Sequence, residues 1–351
     1  MPKRKLSVQS NTSGSTNSRQ SLRSQYANQS PARTTNSHSS SGLTRVMSTI
    51  HEKFTSDTTQ KASLDGEPMD PGPKKRRLMG KMGDVIATTK EATIEILAKT
   101  ELEGTRFGYI ANKWTASVLD SKSVDYPNLR AAVRVVAGDT YDRALEMREA
   151  GSDTDHMPVC VLNFANAYNP GGGWLNGARA QEEQLCYRST LIDTLHTRFY
   201  PMGDLECLYS PNVIVFRNSV DKEYSFMSAD DKLHQNPTVS VISMAARNKP
   251  ALVKADGLTY KDESQRHLMI AKMQLILRTA AHNNHRRLVL GALGCGAFRH
   301  PAQEVADCWY EVLMKEEFKG WFETIYFVIR DSPAENNLQV FQETLDALLI
   351  T

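Results

Sequence analysis

The sequence predicts a layered α/β domain with a mixed or mostly parallel sheet, preceded by a tail without stable structure. Three observations carry this. Short, strongly apolar segments recur from residue 131 onward. Helical patterns separate several of them, the signature of strands covered by helices. The first 80 residues have a different make-up: 15 Ser, 9 Thr and only two aromatics, Tyr26 and Phe54. Such a segment buries too little apolar area to offset an ordering cost of about 1–2 kcal/mol per residue.

The elements follow in order. Residues 84–99 read as an amphipathic helix, with Val85, Ile86, Thr89, Thr93, Ile96 and Leu97 roughly on one face. Residues 131–137 read as a strand ending at Gly138-Asp139. Residues 159–165 form a second strand, nearly all apolar, as expected when both faces are covered. Further strands are expected at 212–216, 239–245, 287–291 and 324–330. Helices are expected at 178–196, 261–283, 302–317 and 334–349. Residues 81–351 fit one domain, with 1–80 as its tail. In such sheets the ligand crevice lies beyond the carboxyl ends of the strands.

Composition narrows the function. The chain has 351 residues, 40% hydrophobic and 23% charged, which is ordinary for a globular protein. No apolar run approaches the roughly 20 residues of a membrane span, and the polar start is not a secretory leader. Five scattered cysteines, Cys160, Cys186, Cys207, Cys295 and Cys308, show no C-x-x-C spacing. They read as reduced thiols of an intracellular protein rather than a disulfide framework or a zinc site. The net charge of +2 hides an asymmetry: residues 1–80 hold 13 basic and 5 acidic residues, the remainder 29 and 35. The acidic balance argues against nucleic-acid binding by the folded part. The clusters Pro2-Lys3-Arg4-Lys5 and Lys74-Lys75-Arg76-Arg77 read as nuclear import signals. The second follows Pro71-Gly72-Pro73, expected to keep it extended and open to an importin. The alternative is a solvated basic linker.

Two strand-end loops carry the chemistry. The first leaves the second strand at Asn163, crosses Gly171, Gly172 and Gly173, and reaches Gln181-Glu182-Glu183 after seven residues. Three glycines remove every Cβ where a backbone could touch a ligand, and they let successive N–H groups converge on an anion. Adjacent helical residues point about 100° apart. One glutamate is therefore expected at the reacting centre and the other on a neighbouring hydroxyl. A helix N-terminus lowers a glutamate's pKa and burial raises it, and the sequence leaves that balance open. The second loop runs from Gly291 to Pro301 and contains Gly294, Cys295, Gly296, Ala297 and Phe298. Its glycine spacing is neither G-x-G-x-x-G nor a Walker loop, which leaves a diphosphate held by backbone N–H groups. Phe298 reads equally as a sugar contact or as core. Cys186 and His196, about 15 Å apart on one expected helix, read as packing. His282, His285 and His300 lack metal-ligand spacing, and no metal or cofactor is expected. Trp114, Trp309 and Trp321 are expected in the core.

Together the two loops resemble the signature of poly(ADP-ribose) glycohydrolases of the bacterial and fungal type: three glycines, a short spacer, then Gln-Glu-Glu, with Gly-Ala-Leu-Gly-Cys-Gly-Ala-Phe downstream. The resemblance covers about residues 80–351 and implies a macrodomain, a three-layer α/β/α sandwich with a mixed sheet that binds ADP-ribose at the strand ends. It implies Glu183 as the acid/base that protonates the departing ribose oxygen and then activates water, with Glu182 on ribose hydroxyls. It places Asn163, Gly171, Gly172, Gly173, Gln181, Gly294, Cys295, Gly296, Ala297 and Phe298 at the ligand. Asp139 is a guess for the adenine side. Cleavage mainly from the chain end is implied. The basic tail fits a nuclear, chromatin-borne polymer and the DNA damage response, with or without a cytoplasmic share. A mono-ADP-ribosyl hydrolase and a non-catalytic ADP-ribose reader stay open as alternatives.

Overall fold

The computed structural model describes residues 72–150, 158–253, 257–331 and 335–351. The expected structureless stretch up to residue 71, with the Pro2-Lys3-Arg4-Lys5 cluster, lies outside the described residues.

The first helix corrects one expectation. Helix α1 spans Gly72–Lys99, so it begins well before residue 84 and takes in Lys74-Lys75-Arg76-Arg77. Gly72 and Pro73 start a helix instead of keeping the chain extended. A proline in the first turn lacks only an N–H that would go unpaired anyway, and the Lys, Arg, Leu and Met that follow are strong helix formers. Met82, Val85, Thr89, Ala92, Thr93, Ile96 and Leu97 form its buried stripe. The Thr89 hydroxyl donates to the Tyr187 carbonyl at 3.0 Å.

The remaining elements are β1 (Tyr109–Ala111), β2 (Ala131–Ala137), α2 (Thr140–Glu149), β3 (Cys160–Phe164), α3 (Gln181–Arg188), β4 (Cys207–Ile214), β5 (Thr238–Met244), α4 (Glu263–His282), β6 (Arg287–Leu290), α5 (Ala302–Leu313), β7 (Thr324–Ile329), α6 (Asn337–Leu345) and β8 (Leu349–Ile350). They build one eight-stranded sheet in the order β1-β4-β5-β3-β6-β7-β2-β8. The five inner strands β5, β3, β6, β7 and β2 are mutually parallel. β4 pairs antiparallel with β5 and with β1, and β8 pairs antiparallel with β2. The sheet is therefore mixed, as expected.

Strand alternation sorts the core into two layers. On one face Leu162, Leu288, Leu290 and Phe327 pack with Met273 and Leu277 of α4, Trp309 of α5 and Phe341 of α6. On the other, Val161, Val241, Val289 and Val328 pack with Val85 of α1, Tyr141 of α2 and Leu185 of α3. Helices thus cover both sides of the sheet.

The expected elements are recovered with shifted ends, apart from three absent from the sequence reading. β1 and β8 are edge strands of three and two residues, and α2 is a polar helix. The helix expected at 178–196 is only α3, because Ser189 turns extended and bridges to Val215. His196 therefore lies off the helix that carries Cys186. Likewise α6 stops at Leu345 and the chain returns as β8. Trp309 and Trp321 are buried, but Trp114 is 81% exposed, with Lys113 Nζ 4.7 Å above its ring. All five cysteines are buried and free. No helix among the described residues is long and apolar enough to cross a membrane.

Candidate active site

The sharp turn after β3 brings the first loop back against α3. Gly171 and Gly172 take left-handed backbone angles (φ +70° and +61°), which side-chain-bearing residues rarely adopt. The Gly172 N–H donates to the Asn169 carbonyl at 3.0 Å. The Gly173 N–H turns inward and donates to Glu183 Oε1 at 2.7 Å. Glu182 Oε2 accepts the Asn166 N–H at 2.8 Å. Asn163 Nδ2 donates to Ser243 Oγ at 3.0 Å and, more weakly, to Glu182 Oε1 at 3.4 Å. Glu183 Oε2 is buried and has no partner among the described residues.

This geometry corrects two expectations. A Cβ on Gly172 would lie 2.4 Å from Glu183 Oε1 and 2.9 Å from Glu182 Oε2. At Gly172 the missing side chain therefore makes room for the protein's own carboxylates. The oxygen that the Gly173 amide meets belongs to Glu183. Both glutamates flank Gly172.

The balance left open by the sequence resolves for Glu182. Burial pushes its carboxyl up to about 8, outweighing the lowering effect of the Asn166 amide, and the neighbouring Glu183 pushes it further the same way. A first-turn position does not hold the group down, because it is almost wholly withdrawn from water.

Gln181 anchors α3 to the sheet. Its Oε1 accepts the Phe164 N–H at 2.9 Å, and its Nε2 donates to the Leu162 carbonyl at 2.7 Å. The side-chain amide continues β3 as a neighbouring strand would. Gln181, expected to bind ligand, borders the cleft with both amide atoms already engaged. Tyr187 secures the same unit, its hydroxyl reaching the Trp174 and Ala178 carbonyls, each at 2.8 Å.

Beside this cluster lies a cleft of about 310 Å³. Gly294, Gly296, Ala297 and Phe298 line it. Phe298 lines the cleft and also packs against the core. The N–H groups of Gly296, Ala297 and Phe298 have no hydrogen bond among the described residues. Cys295 departs from expectation. It is buried in the core, its N–H donates to the Ala292 carbonyl, and burial pushes its thiol far up. Asn163 also departs: it is fully buried beneath Glu182 and does not line the cleft. Asp139 does border the cleft. It caps α2 by accepting the Tyr141 and Asp142 amides and pairs with Arg188.

Sequence reasoning missed Phe164, Arg179 and Arg330, which also line the cleft. Phe164 and Arg179 had a readable signal, being the strand end and the residue two before Gln181. Arg330 had only its place after a strand. The histidines serve the fold: His285 joins Tyr209, and His300 joins Tyr260.

The catalytic-domain model of microbial-type PARG, the poly(ADP-ribose) glycohydrolases, matches residues 85–218. That segment contains the triple glycine and Gln181-Glu182-Glu183. Over that segment the chain resembles the microbial-type PARG family. Solved poly(ADP-ribose) glycohydrolases share its architecture. A PARG from Deinococcus radiodurans, in complex with ADP-ribose, is 27% identical; the likeness covers 71% of this chain and all of that one, with a TM-score of 0.57. PARG from Thermomonospora curvata, 24% identical, covers 77% of this chain and 99% of its own, with a TM-score of 0.61, a likeness of fold. No curated protein sequence matches the chain. The PARG likeness extends beyond the family-model segment.

Proposed function

We propose that this protein hydrolyses the ribose–ribose O-glycosidic bonds of poly(ADP-ribose), releasing ADP-ribose mainly from the chain end. The observation that carries the proposal is Glu183: one oxygen fixed by the Gly173 amide, the other buried and unclaimed, within a PARG-type signature. General acid catalysis requires a positioned carboxyl whose reacting oxygen is not already committed. Glu183 protonates the departing ribose oxygen, the anomeric carbon gains oxocarbenium character, and the resulting carboxylate takes a proton from the attacking water. Glu182 braces it across Gly172. The unused amides of Gly296, Ala297 and Phe298 take the diphosphate.

A second assignment, Glu182 as the acid, draws on its raised pKa. Geometry weighs against it, because its oxygens already accept from Asn166 and Asn163.

The test is incubation with an automodified poly(ADP-ribosyl)ated protein, alongside Glu183→Gln, following free ADP-ribose and chain length. ADP-ribose released by wild type alone, without early intermediate oligomers, supports both the reaction and the end preference. Binding of ADP-ribose without release would replace it with the reader, and release only from singly modified protein with the mono-ADP-ribosyl hydrolase.

Nuclear residence belongs to the same proposal, with an importin taking Lys74-Lys75-Arg76-Arg77. Alanines at all four should move tagged protein toward the cytoplasm. Unchanged nuclear accumulation would remove this cluster from the argument.

A further inference from the structure

The cleft loop after β6 is held from behind by residues that do not line the cleft. His300 is buried, and its ring nitrogens have different partners. Nε2 lies 2.6 Å from the Arg247 carbonyl, which can only accept, so Nε2 carries the proton. Nδ1 therefore accepts, and its partner is the Tyr260 hydroxyl at 2.7 Å. Burial pushes the His300 pKa down, which agrees with the neutral ring. Tyr260 is buried too, on a short stretch that bridges antiparallel to Leu252.

The His300 ring sets the loop's shape. Gly294 has a φ of +82°, and a Cβ there would lie 2.7 Å from His300 Cδ2. The ring fills that space. The His300 N–H closes the loop onto the Gly294 carbonyl at 3.0 Å, and the Lys249 N–H takes the Phe298 carbonyl at 2.9 Å. Between those ties, Gly296, Ala297 and Phe298 keep their amides unused at the cleft wall. Amides held in place before a ligand arrives bind it without a further ordering cost.

We propose that Tyr260 and His300 are positioning residues that set the affinity of the cleft loop for a diphosphate ligand without touching it. The inference rests on the functional reading above and deepens it. Its signature is a weakened ligand constant with the chemical step preserved.

The experiment uses the full chain. Tyr260→Phe keeps the ring and removes the donor, leaving Nδ1 a buried acceptor with no partner. ADP-ribose affinity by calorimetry should fall about five- to tenfold, the worth of one buried hydrogen bond. KM for poly(ADP-ribose) should rise alike, with kcat within about twofold. Hydrogen exchange of residues 294–298 should quicken in the free protein. His300→Gln, which can still reach the Arg247 carbonyl but offers Tyr260 nothing at the Nδ1 position, should behave as Tyr260→Phe does. Unchanged affinity and exchange in both variants would overturn the inference, as would a fall in kcat at constant affinity. Wild-type protein that does not bind ADP-ribose would overturn the functional reading and this inference together. Wild-type binding with an unchanged variant constant would overturn the inference alone.

Discussion

The Gly173 amide holds Glu183 by one carboxylate oxygen, at 2.7 Å, and the other oxygen has no partner although it is buried. A fold rarely keeps such a group, because its desolvation is uncompensated. The neighbouring Glu182 is no more exposed, yet its oxygens accept from Asn163 and Asn166. The pair is therefore asymmetric: Glu182 is held by two donors and Glu183 by one.

Glu183→Gln tests that asymmetry. Its amide oxygen can still accept from Gly173, so the fold should survive. Release of ADP-ribose from poly(ADP-ribose) should fall by about 10²–10⁴, the usual worth of a positioned acid/base. Affinity for ADP-ribose should stay within about tenfold. A variant that keeps wild-type turnover would exclude Glu183 as the acid.

Two glycines should respond in opposite ways to substitution. Gly172 has positive φ, and a Cβ there meets both glutamates. Gly172→Ala should lower stability by about 1–3 kcal/mol and abolish most turnover. Gly296 has nothing within 4 Å of a Cβ and lines the cleft. Gly296→Ala should unfold in urea at the wild-type midpoint but bind ADP-ribose more weakly. Equal loss of stability in both would mean that the second loop is packed as tightly as the first.

Much of this was legible in the sequence, for a definite reason. Inner strands such as β3 are apolar on both faces, and a run like Val159 to Ala165 has few other uses. The triple glycine was legible as a special backbone, but its partner was not. Sequence spacing places Glu183 ten residues after Gly173, and only the tertiary turn brings them into contact. Cys295 misled because a residue inside a glycine loop reads as ligand-facing, whereas its side chain turns into the core. Asn163 misled likewise, since a polar residue at a strand end can serve a neighbour beneath the site. β1 and β8 were too short to leave a pattern, and Arg188, inside the helix expected at 178–196, gave no sign of its burial.

Arg188 is in fact almost wholly buried, and it bonds Asp139, Asp142 and the Arg217 carbonyl. It ties the end of α3 to the start of α2. Arg188→Met should leave Asp139 without its counter-charge and cost about 3–5 kcal/mol, the usual result of breaking a buried pair from one side. Urea unfolding measures it. A loss under about 1 kcal/mol would show that water reaches the pair readily.

Glu182 gives the fold a pH dependence of predictable sign. Its carboxyl rises from an ordinary 4.5 to about 8 in the folded protein, chiefly through burial. The folded state therefore holds the proton more tightly than the unfolded chain does. The linked contribution is fully present below about 4.5, declines as pH rises toward 8, and changes no further above it. Glu182→Gln cannot ionise and removes that slope. Unfolding free energies of wild type and Glu182→Gln, measured in urea at pH 5 and pH 8, should diverge, with wild type losing ground at the higher pH. Other titrating groups are common to both proteins and drop out of the difference. Parallel behaviour would mean that Glu182 ionises as easily folded as unfolded, and that water reaches the floor of the site.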